Sequence, residues 1–369
     1  MVTDSHSLEP LLEPWRRLAQ GCGNAFVSPE WYLAALEWLH PGAEPLVGAV
    51  FSDGEVTGVL PLLKGSGRGR SPRVFTAGPH LADVFQPVAE AGRESHVVEA
   101  IAPVLAKRLG GRCRVDLGRV YADAAWWREL AGAWSRPLVS VAQSAEILPF
   151  ASLAGLDWDS YLATRSRQLR NQARRKMRAL QREHRVRLRR SSTEAKASSD
   201  LETLFRLHDA RWSDRPDPSA IQAPEIRRFH REFALAAQRL GWLRLFLLEV
   251  DDEPVAAWYG WRLGDRYSYY QAGFDPGWSR YSVGFLILAE TVREAIAEGA
   301  VEYDFLLGDE AFKARFATGE RHGCQVLLAP RVSTARLGAI TQRAARSSLH
   351  SMPEATQGRL RAFRRRLGR

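Results

Sequence analysis

The pattern of apolar and polar positions predicts two sets of strands and helices along the chain. In the first set, two strand-like runs flank the turn at 52–55, which is typical of a β-hairpin. Apolar residues at helical spacing indicate helices on both sides of that hairpin. The predicted elements are helices at 29–39, 93–109 and 124–134, hairpin strands at 45–51 and 56–63, and a strand at 113–118.

The second set begins with a long amphipathic helix and continues into a sheet-forming region. Apolar residues along 157–182 keep one face of that helix apolar, so its arginines cover the other faces. The strand at 301–307 is apolar on both faces, which predicts a central, parallel strand. The remaining predicted elements are helices at 204–212, 226–240 and 283–298, and strands at 242–250, 255–263 and 265–274.

The two sets resemble each other in one stretch. Residues 46–59 align with 245–258, and the alignment pairs Asp53 with Asp252 in the two hairpin turns. The expected fold class is α/β, an α+β mixed sheet, and the repeated hairpin is consistent with two tandem modules. The predicted segments are a short N-terminal segment (1–14), a first module (15–150), a second module (151–330) and a C-terminal tail (331–369).

Composition agrees with a two-domain globular protein. The chain has 369 residues, 45% of them hydrophobic and 25% charged. Its three cysteines are widely spaced, which indicates neither a disulfide framework nor a zinc site, so no metal is expected. No run has the length of a membrane span and the N-terminus lacks the pattern of a signal peptide, so we expect a cytoplasmic protein.

The net charge of +10 is concentrated in two segments. Residues 165–190 carry a local charge of +11 and residues 331–369 a local charge of +9, which leaves −10 for the rest of the chain. The first segment is either a solvated helix face or a surface for an anionic partner, and its lack of aromatic residues disfavours base stacking on RNA. The tail is either disordered or a solvated helix, or it anchors the protein to anionic lipid at the inner membrane face.

The turn at 278–284 is the first candidate binding element. It places backbone N–H groups, a hydroxyl and the Arg280 guanidinium at the positive end of a helix dipole, which suits a pyrophosphate. Gly284 would let the main chain approach a ligand closely. An ordinary α/β connection is the alternative. The candidate residues here are Arg280, Tyr281, Ser282, Val283 and Gly284.

The order of elements from 242 to 316 resembles the acyl-CoA-binding half of the GNAT N-acyltransferase fold. The spacing departs from the family's pattern, because Arg280 is followed by Gly284 rather than by two glycines. The runs at 303–320 and 207–212 resemble the CelD-like and FemAB-like branch, whose members typically carry two GNAT-like modules. This resemblance implies that acetyl-CoA or another acyl-CoA is the donor substrate and that an amine is the acceptor.

The resemblance also implies roles for single residues. The main chain of Gln271, Ala272 and Gly273 would face the thioester and polarise its carbonyl. Asp309 and Glu310 follow a strand at the carboxyl edge of the sheet, where they are candidate bases or ammonium ligands. Lys313 lies one helical turn beyond Asp309, and an Asp309–Lys313 ion pair is the structural alternative. Tyr270 and Tyr281 are candidate proton donors to the leaving thiolate.

The sequence therefore predicts an acyl-CoA-dependent N-acyltransferase, with a place in envelope or polysaccharide metabolism. The first alternative is a FemAB-like transferase that takes its acyl group from aminoacyl-tRNA, which the basic helix favours. The second alternative is a non-catalytic partner of a polysaccharide-assembly complex, which would bind no CoA. The proline-rich loop at 213–224 is expected to lie over the site as a lid.

Overall fold

The structure, a computed structural model, describes residues 1–4, 6–65, 72–134, 138–142, 146–212 and 220–330. The tail at 331–369 and most of the expected lid therefore lie outside the described residues. So does the glycine-rich connection at 66–71, between the hairpin and the next strand.

The N-terminal half confirms the predicted hairpin and helices and adds further strands. Ser28 caps the second helix, since its Oγ accepts a hydrogen bond from the Trp31 N–H at 3.2 Å. The elements are α1 (Glu9–Cys22), α2 (Pro29–Trp38), β1 (Glu44–Ser52), β2 (Glu55–Gly65), β3 (Arg73–Thr76), β4 (Val88–Ala89), α3 (Glu94–Leu109), β5 (Arg114–Tyr121), α4 (Trp126–Gly132), β6 (Val139–Ala142) and β7 (Glu146–Ser152).

The C-terminal half follows the predicted order, with a longer helix ending at Trp212, one additional strand before the hairpin and a further helix and strand after residue 310. Its elements are α5 (Trp158–Ala163), α6 (Arg167–Glu183), β8 (Val186–Arg190), α7 (Glu194–Trp212), α8 (Pro224–Arg239), β9 (Leu243–Val250), β10 (Glu253–Leu263), β11 (Arg266–Phe274), α9 (Val283–Ala297), β12 (Glu302–Asp304), α10 (Ala311–Phe316) and β13 (Gly319–Ala329). Short 3-10 helices lie at His6–Leu8, Ala25–Val27, Ala220–Gln222 and Pro276–Tyr281.

The single long helix predicted from 157 is wrong, because the structure has two helices there. Ser166 interrupts the helical pattern as the N-cap of α6, and its Oγ accepts from the Leu169 N–H at 3.2 Å. Serine competes with the helix backbone for hydrogen bonds, which favours a cap over a helix interior. Arg165 lies in the break and donates to the carbonyl oxygen of Ala317. The break therefore ties the start of α6 to the end of α10.

The described strands form one 13-stranded mixed sheet that joins the two halves. The order is β1-β2-β3-β5-β13-β7-β12-β11-β10-β9-β8, with β4 on β2 and β6 on β13. β13, the last strand of the C-terminal half, pairs with β5, and β7 from the N-terminal half pairs with β12. Each half thus places a strand beside the other half. The boundary expected between residues 150 and 151 falls within β7.

The sheet separates two apolar cores. Side chains of β9 alternate between them, with Leu245 and Leu247 in the first core and Phe246 and Leu248 in the second. The first core also contains residues of α1–α4, α7 and α8, so it spans both halves. The second core contains residues of α5, α6 and α9. Helices from the described residues are too short or too polar to cross a membrane.

The sheet opens between β11 and β12, which confirms a central, parallel strand but shortens it. The two strands pair only over Arg266–Ser268 and Glu302–Asp304, whereas β11 continues to Phe274. The chain leaves β12 because Asp304 Oδ1 accepts from the Leu306 N–H at 2.8 Å, and Leu306 then has a φ of 57°. The opening creates the space around which the candidate site is built.

Candidate functional site

A β-bulge in β11 marks the edge of the opening. Tyr259 of β10 lies opposite Gln271, whereas the next residue, Gly260, lies opposite Tyr269, so Tyr270 is an extra residue in the ladder. A bulge leaves one residue unpaired and turns the neighbouring backbone out of the regular ladder. The main chain of Gln271, Ala272 and Gly273, which the sequence indicated, follows immediately after this bulge.

Tyr269 and Tyr270 belong to different cores. The Tyr270 hydroxyl donates to the Leu81 carbonyl oxygen at 3.2 Å, and burial raises its pKa well above the usual range. Its ring packs 5.2 Å from those of Trp261 and His230. Tyr269 packs in the second core, with Lys313 Nζ 5.9 Å from its ring centre. The neighbouring tyrosine that faces Lys313 is therefore Tyr269, which the sequence analysis did not select.

Lys313 lies at the centre of a cluster of polar groups after β12. We call this cluster, formed by Gly308, Glu310 and Lys313, the knot. The Lys313 side chain is only 7% exposed, and its Nζ donates to the Leu307 carbonyl oxygen. The paired carboxylate is Glu310, at 3.1 Å, so the structural alternative of an Asp309–Lys313 pair is wrong. Since α10 begins at Ala311, Glu310 occupies its N-cap position and reaches Lys313 across one turn. Asp309 is exposed and has no ion pair with another described residue.

The knot depends on one glycine. Gly308 has a φ of 135°, a backbone conformation that L-amino acids with a side chain rarely adopt. A Cβ at this position would also come 2.8 Å from Lys313 Nζ and would overlap the Glu310 carboxylate. Gly308 therefore allows Glu310 and Lys313 to meet above the backbone turn.

The N-terminal half contributes Asp83 to the same knot. Asp83 Oδ2 accepts from the Leu307 N–H at 3.1 Å, and its other oxygen lies 3.6 Å from the Arg119 guanidinium. Burial raises the pKa of Asp83, while Arg119 and Lys313 oppose that shift. The sequence analysis missed Asp83 because it lies in an irregular loop with no motif. Only the exchange of strands between the halves brings this loop to Leu307.

The expected phosphate turn lies at the start of α9. Lys176 on α6 donates from Nζ to Ser282 Oγ at 2.8 Å, and the side chain of Arg280 is 70% exposed. The first N–H groups of a helix have no partner within the helix, so the start of α9 offers donors to an anion. We call Lys176, Arg280, Ser282 and the first turn of α9 the donor turn.

Gly284 also has a packing role that the sequence analysis did not predict. A Cβ there would come 2.8 Å from Cδ1 of Phe274, the last residue of β11. Glycine thus permits close packing of α9 on β11, which also keeps the donor turn next to the sheet opening. The exposed Arg280 and the Lys176–Ser282 contact are better probes of ligand binding than Gly284.

Tyr281 is held by a network of polar groups behind the donor turn. Its hydroxyl donates to Glu183 Oε2 at 2.5 Å and accepts from Arg280 at 2.6 Å. His184 Nε2 lies 3.2 Å from the same hydroxyl, and His184 Nδ1 lies 2.7 Å from Asp251. The hydrogen bond to Glu183 raises the pKa of Tyr281. These hydrogen bonds fix the Tyr281 side chain and so stabilise the conformation of the donor turn.

The arginine-rich segment at 165–190 divides into two parts. The arginines of β8 are paired, since Arg187 and Arg189 both bind Glu249 and Arg190 lies 2.9 Å from Glu298. On α6, by contrast, most arginines point to solvent, and of these Arg174 lies 2.8 Å from Asp159. The exposed arginines of α6 are Arg167, Arg174, Arg175, Arg178 and Arg182.

Helix α6 connects the two parts of the site. Near its start, Gln172 accepts a hydrogen bond from Arg315 of α10, close to the knot. Further along, Lys176 reaches the donor turn. No group of three or more metal-ligating side chains occurs in the described ranges. The chemistry that the arrangement offers is an anion-binding helix start beside a gap in the sheet, with a buried lysine near the gap.

Residues 167–314 match a family model described as an acetyltransferase (GNAT) domain. A search of curated proteins finds no match. Among solved structures, FemX aligns with a TM-score of 0.61 at 13% identity, covering 84% of this chain and 95% of FemX.

Two further structures share the fold. The C-terminal domain (DUF2156) of a putative lysylphosphatidylglycerol synthetase from Agrobacterium fabrum aligns with a TM-score of 0.54 at 14% identity, covering 89% of this chain and 94% of that domain. L-PGS from Bacillus licheniformis aligns with a TM-score of 0.52 at 13% identity, covering 92% and 96% of the two chains. At these identities the structural likeness establishes the fold alone.

Proposed function

We propose a donor and an acceptor class for this chain, which is a GNAT-type acyltransferase with a FemAB-like arrangement of two modules. The proposed reaction transfers an acyl group from acetyl-CoA or another acyl-CoA to an amine. The observation that carries this proposal is the donor turn beside the sheet opening. A pyrophosphate at the turn would leave the pantetheine arm to extend along β11 toward the bulge at Tyr270.

The donor turn supports a CoA pyrophosphate by charge and by geometry. Arg280 and Lys176 supply two cations, and the start of α9 supplies backbone donors. Charge-assisted hydrogen bonds to phosphate are about twice as strong as neutral ones. Lys176 is already directed to Ser282, so one cation is held at the turn before a ligand arrives.

The knot supports charge stabilisation during acyl transfer. The thioester oxygen gains negative charge as the amine attacks, and a fixed positive group near it lowers the barrier. In this proposal Lys313 provides that charge together with the amides of Gln271, Ala272 and Gly273. Glu310 holds Lys313 in place. Asp309 is exposed to solvent and has no ion pair with another described residue, so this proposal gives it no role.

An aminoacyl-tRNA donor is the second candidate, and the exposed arginine face of α6 favours it. That face lies beside the donor turn and has no aromatic residues on it. An RNA backbone would bind such a face through its phosphates, with strong salt dependence. The FemAB-like branch that the sequence resembles draws on this class of donor.

Binding of acyl-CoA tests the proposal. A thermal-shift series with free CoA, acetyl-CoA and longer acyl-CoAs should stabilise the full chain, by about 2.7 kcal/mol when the ligand is at 100 times its Kd. The double variant Lys176→Gln, Arg280→Gln should lose most of this shift, while the control Arg112→Gln, an exposed arginine of the N-terminal half, should keep it. No shift with any CoA compound, together with activity that RNase abolishes, would replace the acyl-CoA donor with an aminoacyl-tRNA.

A further inference from the structure

A second cleft lies at the seam between the two halves. It has a volume of about 960 Å³ and is lined by residues of α1, α3 and the end of β5 on one side, and of β11 and β13 on the other. Small-molecule sites typically enclose roughly 300–1,000 Å³. The sequence analysis assigned no role to any residue of this cleft.

The lining of the cleft is acidic. Glu94, Asp123, Asp265 and Glu320 all face it, and among the described residues no ion pair involves Asp123 or Asp265. The two arginines of the wall share the single carboxylate of Glu302, because Arg266 lies 2.9 Å and Arg321 3.0 Å from it, so the four acidic residues outnumber the positive charge that remains. The field in the cleft therefore favours a cation.

A narrow cavity, which we call the extension, adjoins the cleft. The extension has a volume of about 10 Å³, roughly enough for one water-sized group, and shares Tyr121 and Arg266 with the cleft above it. Asp304 and Ser268 line it, at the point where β11 and β12 separate.

Asp304 is the notable group in this extension. Asp304 is only 7% exposed, and its Oδ1 accepts a hydrogen bond from the Leu306 N–H at 2.8 Å. No hydrogen bond or ion pair joins Oδ2 to another residue in the part of the chain that the structure describes. Oδ2 is not among the fully buried side-chain atoms that lack a partner, so a small group in the extension can reach it. An ammonium group is close to a water molecule in size and would form an ion pair with this oxygen.

We propose that this cleft binds the acceptor as a cationic amine, with the ammonium group in the extension against Asp304 Oδ2. The inference rests on the proposed acyltransferase function and assigns the acceptor to a site opposite the donor turn. The two substrates then approach the same gap in the sheet, the acyl donor past the bulge of β11 and the amine through the cleft.

The assignment gives Asp304 a chemical role. The ammonium transfers one proton to Asp304 Oδ2, and the neutral amine attacks the acyl carbon of the thioester. The C–N bond forms, the C–S bond breaks, and the second proton lost by the nitrogen ends on the CoA thiolate. Asp304 later returns its proton to solvent through the cleft. An amide, free CoA and one proton result, so atoms and charge balance.

The surroundings of Asp304 suit this role. The charged and titratable groups facing it are Arg266 of β11, Glu302 of β12, Arg321 of β13 and Tyr121 of β5. Burial raises the pKa of Asp304 to about 6, against the opposing effects of Arg266 and Arg321. A base of this kind is ionised at neutral pH and accepts a proton more readily than an exposed aspartate.

Binding is tested first, without any donor. Spermidine, glucosamine and lysinamide are titrated calorimetrically into the full chain at pH 7.5. We expect at least one of them to bind, and we expect Asp304→Asn and the double variant Asp123→Asn, Asp265→Asn to weaken that binding at least tenfold. The control Asp53→Asn, in the exposed hairpin turn, should leave it unchanged. Binding of none of the three amines, or equal binding by all variants, would overturn the proposal.

Turnover is then measured with the amine that binds and acetyl-CoA, by release of free CoA. We expect Asp304→Asn to lower kcat/KM at least 100-fold, and the wild-type rate to fall as the pH drops through about 6, a limb that the variant lacks. A bound amine that is not acylated although acetyl-CoA binds would overturn the acceptor assignment. Amine binding without any binding of acyl-CoA would leave the cleft in place and contradict the proposed donor instead.

Discussion

The two halves of the molecule place different charged side chains at the same structural position. In each half a helix connects two strands that lie parallel, β3 and β5 around α3 and β11 and β12 around α9. The start of α9 is surrounded by Arg280 and Lys176, whereas the start of α3 carries Glu94. The chain thus offers two basic side chains at the start of α9 and a carboxylate beside the N-cap Arg93 at the start of α3.

The difference follows from how each helix start satisfies its own backbone. Glu94 Oε1 accepts from the Gly92 N–H at 3.4 Å, so the N-terminal half places its own carboxylate where an anion would otherwise bind. The start of α9 has no acidic residue in its first turn. The two helix starts can therefore serve different ligands. An anionic donor would bind at the start of α9, and a cationic ligand would bind near the start of α3.

The largest effect should come from the knot, which has no counterpart among the described residues of the N-terminal half. We expect Lys313→Met to lower turnover by about 10²–10³-fold, because the charge facing the developing oxyanion is lost. Acyl-CoA affinity should change little, and the control Lys107→Met on α3 should behave as wild type. Steady-state kinetics with a separate CoA titration would measure this, and near-normal turnover would return Lys313 to a purely structural role.

The second effect concerns stability. Burial raises the pKa of Asp304 from 3.8 to about 6, so its ionisation is less favourable in the folded than in the unfolded chain. The neutral carboxyl makes its full contribution to the free energy of unfolding below pH 4. This contribution is lost as the pH rises through about 6. We therefore expect Asp304→Asn to be stabilised relative to wild type above pH 6, by up to about 3 kcal/mol. Urea unfolding at pH 4 and 7.5 gives the comparison, and a difference that does not grow with pH would contradict it.

The third effect separates the two helix starts directly. Arg280→Gln should weaken acyl-CoA binding about tenfold, equivalent to about 1.4 kcal/mol, and more at low than at high ionic strength. Glu94→Gln should leave acyl-CoA affinity unchanged while weakening amine binding in the cleft. If Glu94→Gln also altered acyl-CoA affinity, the two helix starts would not bind separate ligands, and this interpretation of their charges would be wrong.

The smallest effect is expected from the tail. β13 ends at Ala329, so removal of 331–369 leaves every described strand in place. The truncated chain should unfold at the same temperature as the full chain and bind vesicles rich in anionic lipid less tightly, since it loses a local charge of +9. Vesicle sedimentation together with thermal unfolding would show both, and a lowered unfolding temperature would mean that the tail packs on the body.

Local patterns predicted many of the elements and the donor turn. The hairpin strands, α2 with its Ser28 cap and α9 follow from side-chain periodicity and capping, which act over a few residues. The family resemblance directed attention to 303–320, and Lys313 is indeed buried there. The Asp309–Lys313 ion pair, given as the structural alternative, was wrong, because the partner of Lys313 depends on where α10 begins, a boundary that patterns locate poorly.

The sequence by itself determined the α/β class, the repeated hairpin, the basic segments and the helix start suited to an anion. Only the tertiary structure decided that β7 and β13 cross between the halves, that Asp83 reaches Leu307, and that Asp304 lines a cavity with one oxygen unpaired. It also decided that the arginines of β8 are paired while those of α6 face solvent. Periodicity and capping are encoded within a few residues. Strand pairing, burial and ion pairing depend on contacts between residues far apart in the chain.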